Sequence, residues 1–405
     1  MTADAMELRD LLRPKTTAEF FAAHWERQHL LLAREQPGYY DAVITAADLE
    51  RIVSDPQARY PAIRLAKGGG YLPAQAYTRV HGSGEETFAG VVDVQQLSQE
   101  YRRGATVTLP ALHTTWAPLA RLCAALQRQL DHAVHANAYL TPGNAAGFTP
   151  HYDVHNVFVL QIAGHKRWQL YAPMVELPHR SQLCTPQMFA GQPPMVELDL
   201  RAGDLLYVPR GVGHSTLTSH SHSAHVTIGV TVYTGVDLLH EVLGVAIHDP
   251  ASRAALPVGF AHEAALKPAL LRTLTEALQR LNSQTDAAGL LDAFTRRVRA
   301  VQRAEATPFR AGWAVIDAQT TLQVPPPERY AFAVERDAGV LDLNSVRHRL
   351  PAIVAPVVQA MIARGTFRTA ELLGGINPDV GLGLSRHLHE IGFLRLADSA
   401  PDYET

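Results

Sequence analysis

The chain has 405 residues, is 47% hydrophobic and 19% charged, and carries a net charge of −3 with histidine neutral. That balance provides core material for two or three domains and excludes a global basic field for nucleic acid or an anionic membrane. Two cysteines, Cys123 and Cys184, exclude a disulfide framework and a cysteine-rich zinc site, and fit a reducing compartment.

The N-terminal residues contain early acids and no apolar core of signal-peptide length. No stretch reaches the ~18 apolar residues of a membrane span. A cytoplasmic protein without membrane contact is expected. In chain order, Thr16 and Glu19 form a capping box that opens a helix in TTAEFFAAHWERQHLLL, with Phe20, Phe21 and Trp25 at helical spacing. Residues 50–110 are mixed, and KGGGY (Lys67 to Tyr71) reads as a loop. TTWAPLARLCAALQRQL is a second amphipathic helix.

From Ala136 to Tyr233 the pattern changes to short apolar runs punctuated by Gly and Pro: FVLQIAG, RWQLYAP, GDLLYVPRG and HVTIGVTVY. In the last, Val226, Ile228, Val230 and Val232 alternate with Thr227, Gly229, Thr231 and Tyr233, the period of a strand. Short strands at regular spacing predict a sandwich or barrel. Beyond Val236 the period is helical. Leu270, Leu274, Leu278 and Leu281 form one stripe, and Leu290, Phe294, Val298 and Val301 a second. VPPPER (Val324 to Arg329) reads as a linker. FRTAELLGGINPDVGLGLSRHLHEIGFLRL reads as helix, turn, helix and short strand, a winged-helix pattern.

The chemistry concentrates between Asn137 and His214. Gly203-x5-Pro209-x-Gly211-x2-His214 is similar to the second motif of the cupins, whose barrels hold a metal, and it ends on a His at the start of a strand. Upstream, His151 and Asp153 are two apart and therefore on one strand face. Two histidines and one carboxylate make the facial triad of non-haem Fe(II) oxygenases. Three adjacent coordination positions stay open, two for a 2-oxo acid and one for O2. Lys166 and Trp168 share one face of the following strand, which is expected to start after a turn at Gly164; Arg167 and Gln169 share the other. A cation aimed into a barrel needs an anionic partner, which a 2-oxo dicarboxylate supplies.

NAYLTPGNAAGFTPHYDVHNVFVLQIAGHKRWQLYAP followed by GDLLYVPRGVGH resembles the JmjC-type cupin family that contains the ribosomal oxygenases. The resemblance covers nearly the whole chain in order. It implies a mixed α+β fold: a double-stranded β-helix barrel with N-terminal helices (1–235), a helical dimerisation region (236–305) and a C-terminal winged helix (306–405). It implies an Fe(II)- and 2-oxoglutarate-dependent hydroxylase of Arg or His side chains in a protein, with a ribosomal protein as the substrate and O2 as co-substrate. By the same resemblance His151, Asp153 and His214 hold iron and Lys166 holds the far carboxylate of 2-oxoglutarate. Asn137 and Tyr139 line the co-substrate and peptide cleft. Thr227 stands near the place of a hydroxyl residue on the last barrel strand, and the next inward position is Gly229.

His155 lies about 6.5 Å beyond Asp153 on the same strand face, so a role toward substrate is expected rather than ligation. His220, His222 and His225 are expected to decorate a loop and a strand end. From Thr366 onward three arginines face six acids, which argues against direct nucleic-acid binding and for packing or a basic protein partner. The two leucine stripes predict a homodimer. Two other functions fit the same residues: hydroxylation of a small peptide or natural product, and a non-catalytic cupin acting as a binding scaffold.

Overall fold

A computed structural model of the chain describes residues 6–81, 88–145, 148–218, 221–303, 316–335, 338–343, 346–371 and 377–397. It divides into two compact units, Met1–Tyr233 and Thr234–Thr405. The strands of the first unit are β1 (Leu30–Leu32), β2 (Arg64–Lys67), β3 (Gly70–Tyr71), β4 (Thr78–His81), β5 (Phe88–Val92), β6 (Thr106–Leu109), β7 (Ala133–Thr141), β8 (Asn156–Tyr171), β9 (Val196–Arg201), β10 (Leu205–Val208), β11 (Gly213–Leu217) and β12 (Ser223–Thr231). An antiparallel sheet runs β1-β10-β8-β12-β7-β6-β2-β3, and β9 and β11 pair with the far half of β8.

The strand β8 organises the barrel. Its first half lies between β10 and β12, its second half between β9 and β11. The expected turn at Gly164 is therefore absent: FVLQIAG and RWQLYAP belong to one bent strand of 16 residues. The bend needs glycine, because Gly164 has φ 67° and a Cβ there would stand 1.8 Å from the His222 carbonyl oxygen. Gly164→Ala is expected to lose at least ~3 kcal/mol of stability, the upper end for one substitution. An unchanged urea midpoint would show that the bend accepts a side chain.

Strand alternation separates two apolar layers. Phe158 and Leu160 of β8 join Val226, Ile228 and Val230 of β12 in the layer packed with Phe20, Leu122 and Leu126. Val157 and Val159 turn the other way, toward Trp168, Leu206 and Val208. On β12 the alternate positions His225, Thr227 and Gly229 are opposite the helix-packed face. The helix Ala117–Leu130 buries Leu119, Leu122, Leu126 and Leu130 at helical spacing, and stops where Asp131 turns left-handed at φ 53°.

Other elements differ from the sequence reading. The Thr16–Glu19 capping box is present, with Thr16 Oγ1 accepting from the Glu19 amide at 3.2 Å. Its helix ends at Ala23, and Leu30–Leu32 becomes strand β1 on β10 because sheet pairing outweighs helix propensity there. KGGGY is a hairpin rather than a loop: Gly68 and Gly69, both at positive φ, join β2 to β3.

In the second unit the helices Gly235–Ala246, Lys267–Gln284 and Ala287–Arg303 come first. Phe294 and Val298 are buried, whereas Leu274 and Leu278 are 57% and 58% exposed within the chain. The Val301 side chain and the expected boundary at 306 lie outside the described residues. Val324–Arg329 is not a linker: Val324 is buried, its amide donates to the Gly365 carbonyl, and Pro327–Arg329 is a 3-10 turn. Thr366–Arg368 is a strand, not helix, pairing with Thr321–Gln323, which also pairs with Arg395–Leu396. The helices Ala355–Arg364 and Pro378–Glu390 share a core with that sheet through Val358, Met361, Phe367, Leu388 and Phe393. No helix among the described residues is long and apolar enough to cross a membrane.

Candidate active site

Backbone pairing brings the three metal-competent residues together. His151 and His214 form an isolated antiparallel bridge, amide to carbonyl in both directions at 3.1 and 2.7 Å. The Gly211 amide donates to the Asp153 carbonyl at 3.0 Å, so the two segments are held side by side. Donor atoms of His151, Asp153 and His214 all lie within 4.8 Å of one another, a span that one ion can gather. Asp153 Oδ2 stands 3.6 Å from His214 Nε2.

The histidine tautomers favour ligation. His151 Nδ1 lies 2.7 Å from the Thr149 carbonyl, and His214 Nδ1 lies 3.3 Å from that of Val212. A carbonyl only accepts, so in the neutral rings each Nδ1 carries the proton and each Nε2 keeps its lone pair. Burial, with His151 adding to it, pushes the His214 pKa down to about 4. Burial acts to raise Asp153, but His214, His155, His151 and His135 outweigh it and hold the carboxyl below its ordinary value. The set is two imidazoles and one carboxylate, the donor chemistry that suits Fe(II).

The site opens into a cavity of about 290 Å³ whose lining includes Asn137, Tyr139, His151, Asp153, His155, Lys166, His214 and Thr227, the residues expected to hold metal, co-substrate or substrate. Lys166 is 2% exposed, and its Nζ donates to Thr141 Oγ1 at 3.0 Å. Burial alone pushes its pKa down to about 7, and no carboxylate among the described residues pairs with it. Arg167, on the opposite face, is exposed and bonded to Asp199 through Nε at 2.9 Å. An anion entering the cavity would find Lys166 and not Arg167.

Asn137 and Tyr139 alternate on β7. Asn137 Oδ1 accepts from the Ala111 amide at 2.9 Å, and Asn137, Tyr139 and Thr227 line the same cavity. Burial raises the Tyr139 pKa, which keeps the phenol protonated as a donor. His155 Nε2 is 3.9 Å from Asp153 Oδ2, and its ring meets His135 edge-on at 4.8 Å. A Cβ on Gly229 would come within 2.4 Å of the His135 ring and 2.7 Å of His155. The glycine thus leaves room for two imidazoles where a side chain would otherwise project.

Sequence reasoning misplaced His225. It is 3% exposed on β12, stacked on Tyr139 at 4.9 Å with its Nδ1 lacking a hydrogen-bond partner. Its place two residues before Thr227 on the inward face was the available signal. His222 is exposed, and His220 lies outside the described residues. Trp168, between His214 and His225 at 5.8 and 5.6 Å, has its buried Nε1 unpartnered as well. Thr106 and Thr141, bonded at 3.2 Å behind Lys166, carried no sequence signal.

A family model described as JmjC domain matches residues 111–238. The "Bifunctional lysine-specific demethylase and histidyl-hydroxylase NO66" of Drosophila mojavensis is 32% identical over 244 residues, 58% of this chain and 26% of that protein. "Ribosomal oxygenase 1" of Gallus gallus is 32% identical over 228 residues, 54% of this chain and 36% of that protein. The match thus spans about a quarter to a third of these relatives' length. The crystal structure of Escherichia coli ribosomal oxygenase YcfD aligns over 94% of this chain and 98% of that one, with 15% identity and a TM-score of 0.49. Residues 111–238 thus match the JmjC domain model, and ribosomal oxygenases are among the relatives this chain resembles.

Proposed function

We propose that this chain is an Fe(II)- and 2-oxoglutarate-dependent oxygenase that hydroxylates an Arg or His side chain of a protein, with a ribosomal protein as the preferred substrate class. The observation that carries the reading is the pairing, in one cavity, of a His-Asp-His donor set with a buried lysine that has no acidic partner among the described residues. His151, Asp153 and His214 would hold the iron. Lys166 would hold the far carboxylate of 2-oxoglutarate, with the unpartnered Nδ1 of His225 and Nε1 of Trp168 nearby. When bound, Fe(II) with 2-oxoglutarate and O2 supplies the oxidant that turns a C–H into a C–OH, with succinate and CO2 released.

The chain's own residues would orient and shield that reaction. Val157, Trp168 and Phe148 wall the cavity with apolar surface and limit water, which protects the oxidant from side reactions. Tyr139, Asn137 and Thr227 would fix the co-substrate side, and His155 would face the substrate. Two relatives carry names that speak of histidyl hydroxylation and of ribosomal oxygenation, which supports a protein substrate.

The test is succinate release from 2-oxoglutarate with Fe(II), with and without ribosomal-protein peptides, and mass spectrometry to locate an added oxygen atom. Turnover with small peptides or natural products alone would move the substrate class. No turnover with any of them would favour a binding scaffold.

The assembly reading is a homodimer built on the helices of the second unit. Leu239 and Leu243 of Gly235–Ala246 and Ile247 just after it are exposed, as are Leu274 and Leu278, and apolar surface on this scale marks an interface. A two-fold axis would bury equivalent stripes on each other. Leu274→Asp with Leu278→Asp is expected to yield monomers or insoluble protein. Light scattering that finds a wild-type monomer at micromolar concentration would refute the dimer.

A further inference from the structure

A closed polar ring lies behind the metal-competent residues and uses none of them. Arg210, between Pro209 and Gly211 of the turn leading to His214, is buried, and its Nε donates to Glu26 Oε1 at 2.6 Å. Its backbone amide donates to Asn156 Oδ1 at 3.2 Å. Asn156 is fully buried three residues after Asp153, and its Nδ2 approaches Glu26 Oε1 at 3.4 Å. The ring closes through Tyr207, whose hydroxyl donates to Asn156 Oδ1 at 2.9 Å and accepts from the Glu26 amide at 2.9 Å. Arg210 Nη1 also donates to the carbonyls of Leu177 and Pro178, at 3.1 and 2.9 Å.

Each partner sits on a different segment: Glu26 before β1, Asn156 at the start of β8, Arg210 in the turn before β11, Leu177 and Pro178 in the loop after β8. Two of these segments carry His151 with Asp153, and His214. A buried ion pair contributes little net stability against an apolar replacement, yet it fixes geometry when every donor and acceptor is satisfied. Here Asn156 accepts twice and donates to the carboxylate, and Arg210 uses its Nε and Nη1 on fixed oxygens. We infer that Glu26 and Arg210 are positioning residues that set His214 against His151 and Asp153, so that the donor set is held at the spacing a divalent ion needs. The inference rests on the metal reading of those three residues.

The experiment is Co(II) titration of metal-free full-length protein, read by visible absorption, with melting temperature measured in parallel. The variants are Glu26→Gln, which keeps the side chain's size but replaces the charged acceptor that holds Arg210 with a weaker neutral one, and Arg210→Met. Leu122→Ala, a core truncation in the helix layer, serves as the control for general destabilisation. Partner groups behind metal ligands shift affinity by about 10–100-fold. Glu26→Gln is expected to weaken Co(II) by ~10-fold and Arg210→Met by ~100-fold, with altered absorption of the bound ion. Leu122→Ala should melt earlier yet bind Co(II) like wild type. Should Arg210→Met fail to fold, Glu26→Gln decides. Wild-type Co(II) affinity and spectrum in a folded Glu26→Gln protein would overturn the inference. A wild-type chain that binds no Co(II) would instead remove the metal reading itself.

Discussion

Asp153→Ala is expected to abolish succinate production while leaving the fold in place. Asp153 provides the only carboxylate of the described donor set, and its loss leaves two imidazoles to hold a divalent ion. Its side chain is half-buried and lies outside the apolar clusters, so truncation opens no core cavity. Divalent-ion affinity should fall by at least ~100-fold, the upper range for disturbing a metal site even through its supporting groups. The melting temperature without metal should stay within a few degrees, because the truncation removes no apolar core contact. A variant that binds Co(II) normally and forms succinate would remove Asp153 from the site.

Lys166→Met is expected to raise the 2-oxoglutarate requirement by ~100-fold or more, since losing one partner of a buried charged pair costs about 3–5 kcal/mol. The same change should stabilise the protein without co-substrate. The Lys166 pKa falls from the ordinary 10.5 to about 7 because burial disfavours the ammonium. Between those pH values the unfolded chain keeps a proton that the folded chain has shed. Stability therefore rises with pH across that window and is lost as pH falls through about 7. Lys166→Met should flatten this slope and melt higher at neutral pH, by roughly 2–4 °C per kcal/mol gained. Urea midpoints at pH 7 and pH 9 measure the slope, and 2-oxoglutarate saturation curves measure the requirement. An unchanged co-substrate dependence would show that another group holds the carboxylate.

The site was legible where chemistry follows strand alternation. Lys166 and Trp168 sit two residues apart on β8, so sequence alone put that pair on one face; His151 and Asp153 instead precede β8, where an isolated bridge to His214, not strand alternation, places them. The turn ending at His214 announced itself by its Pro and Gly spacing. What sequence did not reveal depends on pairing across the chain. Gly164 looked like a turn because glycine at positive φ serves bends and turns alike, and only the partners of β8 on both sides show one continuous strand. Leu30–Leu32 has helical composition and becomes a strand because β10 offers an edge. His225 sat among exposed histidines in sequence, although its inward parity with Thr227 was readable. The Glu26–Arg210 pair spans 184 residues, and no local pattern links its members.

The central claim is that His151, Asp153, His214 and Lys166 together bind Fe(II) and a 2-oxo dicarboxylate. Anaerobic addition of Fe(II) and then 2-oxoglutarate, followed by visible absorption, tests it most directly, because a 2-oxo acid chelated to Fe(II) gives a metal-to-ligand charge-transfer band. The account predicts a saturable band in the wild type, no band in Asp153→Ala, and a band in Lys166→Met that needs far more 2-oxoglutarate. Absence of the band in the wild type, or its persistence in Asp153→Ala, would contradict the account.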